Sequence, residues 1–416
     1  MDNSQFISNF GAEKVKANIM KLIHTSDWHI GQQLYGYDRT EDHLYFFRQL
    51  KDICREEKPD ALVVSGDIFD VSSPSAASMR MFTDFILELH EEDPGMKIVI
   101  TSGNHDSASR IDVNRNLWRA AGIYVIGTVK RENGEYDFSD NVVKVDGMGI
   151  ILAVPYINPA FMGNATEEES AESGFFAKGL ECVAKDNSED LPVVVLSHLT
   201  VTGCDRRGHR DTQIGKIDSI SAEVFPKDID YVALGHIHKP QDITEDGRIR
   251  YSGSPVAVGF DEDYPHSVSI VEIERGAPVK IREAEIFPKR ELLTYPAEPT
   301  DFKNAIRKLK KFPANDEAFI RLNVRQDTSL PSDCEELATA ATEGKKCKYC
   351  TIKYEYTGNV GKEAMEALSM TEFSELTMQD LARRYFGSSG VSETESADFL
   401  RLLSEIEEEI HNESTF

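Results

Sequence analysis

The run Leu62-Val-Val-Ser-Gly-Asp-Ile-Phe-Asp70 constrains this chain more than any other stretch. Leu62 to Val64 read as a buried parallel strand that ends at Ser65-Gly66 and carries Asp67 to its C-terminal tip. A carboxylate at the mouth of an apolar strand is costly to place unless a positive group, most simply a metal ion, lies opposite. Four more stretches repeat the arrangement. Lys21-Leu-Ile-His24 leads to Asp27 and His29, and Lys97-Ile-Val-Ile100 to Asn104. Pro192-Val-Val-Val-Leu196 leads to His198, and Tyr231-Val-Ala-Leu234 to His236 and His238. Asp27 and His29 are two apart, so in an extended segment both face one way and can reach one ion.

Between these strands, Arg39 to Lys58 and Pro74 to about His90 have helical spacing. Residues from about Arg131 to Pro155, Arg250 to Pro255 and Ser267 to Glu274 read as further strands, and 163 to 190 as a loop and surface helix. This order predicts an α/β fold, a mixed sheet pair covered by helices. From about Phe287 the motifs stop. A basic amphipathic helix over 301 to 312 and strands over Ala318–Val324 and Tyr349–Tyr356 predict a small α+β unit. From Leu368 the chain turns acidic and helical, with an apolar stripe at Leu376, Leu381, Tyr385, Phe399, Leu402, Leu403 and Ile406. The expected divisions are a flexible leader or tag over 1–19, ahead of Met20 as native start, then 20–286, 287–365 and 366–416.

Composition sets limits. Forty-six Lys and Arg against 72 Asp and Glu leave a net charge of −26. That excludes a free-standing nucleic-acid binder relying on phosphate neutralisation. It permits an enzyme that meets nucleic acid through a local basic surface, metal ions or a basic partner. No apolar run is long enough to span a bilayer and no signal peptide opens the chain, so the expectation is cytoplasmic. The six scattered cysteines suit reduced thiols; Cys347 and Cys350 form one CxxC without a second pair and read as incidental.

Asp27, His29, Asp67, Asn104, His198, His236 and His238 are seven N/O donors at the tips of strands, where ligands of α/β folds gather. Seven exceed one tetrahedral site. They suit two ions sharing a carboxylate, here Asp67, each keeping an open position. With no thiolate in the set, Mn²⁺ or Fe²⁺ fits as well as Zn²⁺. One such histidine alone is more often structural; five matching strand ends are not. A pair of ions gripping a phosphate implies phosphoester hydrolysis. His105 is needed for no ion and is the candidate general acid for the leaving alkoxide or a stabiliser of the transition-state charge. Asp70 either orients His105 by a hydrogen bond or caps the following turn.

Asp27-x-His29, Gly66-Asp67-Ile-Phe-Asp70, Gly103-Asn-His-Asp106, His198 and Gly235-His-Ile-His238 resemble the calcineurin-type metallophosphoesterases. The longer strings His24 to Gly31, Ala233 to His238 and Arg250 to Pro255 look like the nuclease subunits of DNA-end-processing complexes within that family, over roughly residues 20 to 410. The resemblance implies a four-layer α-β-β-α sandwich with a small α+β capping domain and a C-terminal helical tail. It implies a Mn²⁺-dependent double-strand 3'-5' exonuclease and single-strand endonuclease, homodimeric, working with a P-loop ATPase that bears a long coiled coil. One ion would take Asp27, His29, Asp67 and His238, the other Asp67, Asn104, His198 and His236, with His105 catalytic. Some relatives carry a histidine in the place of Asp70. Residues 287–365 would lie over the site and help hold DNA, and 366–416 would bind the ATPase. Candidates for DNA contact are Arg206, Arg207, Arg210, Lys303 and Arg307, with Tyr35, Tyr37 and Arg39 beside the first ligands. The competing reading is a phosphatase or a small-molecule or cyclic-nucleotide phosphodiesterase with the same centre. A catalytically dead scaffold would have lost ligands, and all seven are present.

Overall fold

Two six-stranded sheets carry most of the apolar sequence. The computed structural model describes residues 19–158, 162, 170–208, 219–358 and 399. Arg210 and the tail positions Leu376, Leu381, Tyr385, Leu402, Leu403 and Ile406 lie outside the described residues, as do 1–18 of the expected leader.

The first sheet runs, edge to edge, Lys280–Glu285, Ser267–Ile273, Met20–Thr25, Ala61–Ser65, Lys97–Thr101 and Ile123–Ile126. Its last four strands are mutually parallel, so they all end at one edge. The second sheet runs Gln241–Asp242, Ile249–Tyr251, Tyr231–Gly235, Val193–His198, Gly149–Val154 and Val142–Val145, with its four middle strands parallel. Alternation along each strand sends every second side chain to the opposite face. Leu22, Val63, Val99, Ile151, Val194, Leu196 and Ala233 meet between the sheets. Ile23, Leu62, Val64 and Ile98 face Phe46, Phe47, Phe82 and Phe85 of helices Thr40–Glu57 and Ala76–Glu92. Leu152, Val195 and Val232 face Phe175 and Phe176 of helix Ala171–Asp186, which is therefore more than a surface helix. Three apolar layers separate four structural layers, the sandwich expected from the sequence.

Strands Glu291–Thr300, Ala318–Gln326 and Lys348–Tyr356 form a separate three-stranded sheet with the second of them central. Glu291–Thr300 escapes a sequence reading because Pro296 and Pro299 interrupt it; its place at a sheet edge is where proline is tolerated. Helix Phe302–Lys310 buries Phe302, Ala305, Ile306 and Leu309, which leaves Lys303 and Arg307 exposed. Helix Cys334–Ala341 was not foreseen; it is short and rich in Ala and Glu. Packing divides the chain into two compact units. Of the described residues, one holds those up to Tyr295 with Phe312–Leu322 and Thr342–Thr351; the other holds Pro296–Lys311, Asn323–Ala341 and 352–358. Among the described residues no helix is long and apolar enough to cross a membrane.

Candidate metal centre

The seven donors sit at strand ends along the edge shared by the two sheets, His198 as the last residue of its strand and the others on the loops that follow. A glycine immediately precedes Asp67, Asn104 and His236, for steric reasons. A Cβ on Gly66 would lie 2.3 Å from His198 Nδ1, and one on Gly103 would lie 2.1 Å from Asp67 Oδ1. The backbone then turns sharply: Asp27, His29, Asp67 and His236 all have positive φ, between 47° and 95°. Such conformations cost about 1–3 kcal/mol each for residues with a side chain, and they cluster where function requires them. Main-chain bonds hold the turns together. The Asp27 and His29 N–H groups donate to the carbonyls of Gly66 and Asp67, each at 3.0 Å.

This packing brings the donors into two groups, Asp27 with His29 and His238, and Asp67 with His198 and His236. Within each group the ligand atoms lie within 4.8 Å of one another. His29 Nε2 and His238 Nε2 face each other at 3.2 Å. Asn104 Oδ1 lies 2.9 Å from His198 Nε2 and 3.0 Å from His236 Nδ1. Asp67 Oδ2 stands between the groups, 3.8 Å from His29 Nε2 and 3.4 Å from His198 Nε2. The Asp27 carboxylate accepts from Ser26 Oγ and from the His236 main-chain N–H. The donor chemistry, nitrogen and carboxylate oxygen without sulfur, fits a pair of divalent cations.

Electrostatics agrees with a site built for positive charge. Burial opposes ionisation of Asp67, yet the charges of His198, His29 and His105 outweigh it and hold its carboxyl well below the usual carboxylate range. Burial likewise opposes a charged His198, but the charge and hydrogen bond of Asp67 push it up to about 9. His29 is also pushed up to about 9, its burial overcome by Asp70, Asp67 and Asp27.

His105 is exposed and lines a cleft of about 320 Å³ with His29, Gln32, Tyr35, Asp70, His238 and Gly259. Its main-chain N–H donates to Asp67 Oδ1 at 2.9 Å. Its ring Nδ1 meets the main-chain carbonyl of Asp70 at 2.8 Å, not the carboxylate. The Asp70 carboxylate lies instead 3.4 Å from His29 Nδ1, so the hydrogen bond expected between Asp70 and His105 is made by the Asp70 main chain.

Other expectations divide. Tyr35 is 46% exposed at the cleft. Tyr37 is half-buried against Phe319. Arg39 is 1% exposed and cannot line a path for DNA. Its guanidinium donates to Asp42, Gln32 and the Ala257 carbonyl and stacks on Phe319. Arg206 is half-buried; Arg207 is exposed and paired with Asp205.

Two residues were missed as site components. Asp106 accepts from the N–H groups of Ile68, Phe69 and Gly103, which ties the Asp67 loop to the Asn104 loop. Burial and the charge of Asp67 push it up to about 6, against those three bonds. Its place beside Asn104 and His105 was the available signal. Glu262 accepts from His238 Nδ1 at 2.8 Å. Burial raises it, but the bond and charge of His238 hold it below the usual range. Nothing in the acidic run Asp261-Glu-Asp263 distinguishes it from a surface residue.

A family model described as calcineurin-like phosphoesterase matches residues 20–240. The SbcD subunit of nuclease SbcCD from Rhodobacter capsulatus is 34% identical over 274 residues, 62% of this chain and 67% of that protein. The SbcD subunit of Bacillus subtilis is 30% identical over 295 residues, 67% of this chain and 72% of the relative. That of Escherichia coli is 28% identical over 257 residues, 58% of this chain and 62% of the relative. The matched region thus spans 62% to 72% of these relatives' own lengths.

Proposed function

The chain belongs to the calcineurin-like phosphoesterase family, among the relatives of the SbcD subunit of nuclease SbcCD, and on that premise we propose that it is a dinuclear-metal-dependent DNA nuclease. Its reaction is hydrolysis of DNA phosphodiesters, as a 3'-5' exonuclease on duplex and an endonuclease on single strands, in DNA end processing, repair and recombination. Mn²⁺ is the proposed ion and an SbcC-type coiled-coil ATPase the proposed partner, docked on 366–416. The proposed working form is a homodimer in the cytoplasm.

The observation that carries this reading is the position of Asp67 Oδ2, within 3.8 Å of His29 Nε2 and 3.4 Å of His198 Nε2, between two groups of three donors. Asp27, His29 and His238 would hold one ion with Asp67, and Asn104, His198 and His236 the other. When bound, such a pair supplies an activated water and neutralises the charge that develops on the phosphate. The chain's own residues do the rest. The Asp70 carbonyl can only accept, so His105 Nδ1 carries a proton; in the imidazolium form the ring bears a second proton on Nε2, and that is the one it delivers. As the scissile P–O bond breaks, that proton goes to the departing alkoxide while the water oxygen bonds to phosphorus. Tyr35 at the cleft, Arg206 and Arg207 near it in sequence, and the exposed Lys303 and Arg307 are proposed to meet the DNA backbone.

The test compares linear duplex DNA with bis-p-nitrophenyl phosphate, each with Mn²⁺, with and without the ATPase subunit. Degradation of the duplex is expected. Turnover of the small ester with intact DNA under both conditions would replace the nuclease with a small-molecule phosphodiesterase.

A further inference from the structure

Behind the cleft, the loop from Ser252 to Glu262 folds back under His238. The Ser254 N–H donates to the His238 carbonyl at 2.9 Å. Ser254 Oγ and the Val258 N–H both donate to Glu262 Oε2, at 3.0 and 3.1 Å. Gln32 donates to the Val258 carbonyl at 2.7 Å and Arg39 to that of Ala257 at 3.1 Å, so the loop is clamped from its other side. The remaining oxygen of the carboxylate, Oε1, accepts from His238 Nδ1. The Glu262 side chain is 1% exposed. Gly208 covers it: a Cβ there would come within 2.5 Å of Glu262 Cγ.

We propose that Glu262 is a positioning residue for the ion assigned to Asp27, His29 and His238, an inference that rests on the metal-centre reading above. Oε2 is taken up by two donors and Oε1 faces His238 Nδ1, so the carboxylate accepts the Nδ1 proton and Nε2 is the ring atom aimed at His29 Nε2, 3.2 Å away. Two other histidines are oriented differently, whereas His29 Nδ1 faces the Asp70 carboxylate at 3.4 Å. His198 and His105 each direct Nδ1 at a main-chain carbonyl, of Ser65 and Asp70. A carbonyl sets the tautomer. An anion sets the tautomer and also raises the basicity of the ring, which strengthens the bond that Nε2 makes to a cation. The carboxylate is itself immobilised by two donors, so it holds the ring at one angle. The two ions are therefore held unequally, with the first depending on a charge outside the ligand set.

The experiment is calorimetric titration of Mn²⁺ into the chelator-stripped full chain, alongside the melting temperature of the metal-free protein. Glu262→Gln keeps the shape and removes the charge. It is expected to weaken one Mn²⁺ site by about 10–100-fold and leave the other within about threefold, with the metal-free melting temperature unchanged. Ser254→Ala, which loosens the carboxylate without removing it, is expected to weaken the same site by a smaller factor. It carries the test if Glu262→Gln does not fold. Wild-type affinity at both sites in either folded variant overturns the assignment. So does parallel weakening of both sites with a lowered melting temperature, which would make Glu262 structural. Wild-type protein that binds no Mn²⁺ overturns the metal-centre reading itself.

Discussion

His105 is held by residue 70 through the main chain: its Nδ1 lies 2.8 Å from the Asp70 carbonyl, while the Asp70 carboxylate turns to His29 Nδ1 at 3.4 Å. The identity of the side chain at 70 is thus uncoupled from the orientation of the proposed acid. His105→Ala should leave two Mn²⁺ per chain and lower nuclease kcat by about 10²–10⁴-fold. Asp70→Asn should lower kcat far less, within about tenfold, because the carbonyl remains. Single-turnover cleavage with metal analysis checks both. Metal lost together with activity in His105→Ala would make that residue structural.

Gly103 has room for no side chain. An added Cβ would lie 2.1 Å from Asp67 Oδ1 and 2.3 Å from the Asp67 main-chain nitrogen. The carboxylate stands between the two sets of donors, so Gly103→Ala should empty both metal positions at once. Metal analysis after dialysis against Mn²⁺ should return less than about one ion per chain, since displacing a shared ligand affects both ions. Full occupancy would mean that Asp67 is not shared.

Arg39 stands among buried groups and meets Asp42, Gln32, the Ala257 carbonyl and Phe319. Arg39→Ala should lower stability by about 3 kcal/mol or more in urea denaturation, the usual cost of breaking a buried ion pair. The salt dependence of DNA binding should not change, because a buried guanidinium releases no counterions. Arg207→Ala is the opposite case. That residue is exposed, and a contact with phosphate would show as a shallower salt slope, by about one unit, with stability unchanged.

His24 should set part of the acid limit of folding. Its ring is buried: the Leu234 carbonyl accepts from Nε2 at 3.1 Å, and Nδ1 meets the Tyr231 hydroxyl at 2.9 Å. Burial, then the charge of Arg250, push it down to about 3, against the help of that carbonyl. The unfolded chain therefore takes up this proton first. The stability that a neutral ring allows is complete above the ordinary histidine pKa of about 6.5 and is lost as pH falls from there toward about 3, by up to about 1.4 kcal/mol per pH unit. His24→Gln should flatten that limb. Urea unfolding at several pH values in this window compares the two slopes, and parallel slopes would exclude His24 as the titrating group.

The parts legible in the sequence are those set by local pattern. A short Val/Leu/Ile run that stops at a glycine followed by Asp, Asn or His announces both a buried strand and what it delivers, and the seven donors indeed meet at one edge. Relationships across the fold left no such trace. Glu262 reaches His238 only because a loop folds back over 23 intervening positions, and its acidic neighbours disguise it. Arg39 beside Tyr35 and Tyr37 reads as a basic aromatic surface until Asp42 and Phe319 enclose it. Asp70 does bond His105 as its place three residues after Asp67 suggested, but the atom that does so belongs to the backbone, which a sequence does not distinguish.

The donors are drawn from five strand ends scattered between Asp27 and His238, and the carboxylate behind the last of them comes later still, at Glu262. No short stretch of the chain owns a usable set. A polypeptide still emerging from the ribosome would lack the last histidines until the second sheet had been made, so cutting power would arrive in one step with the finished fold. A single proteolytic nick that parts the two sheets would end it as abruptly.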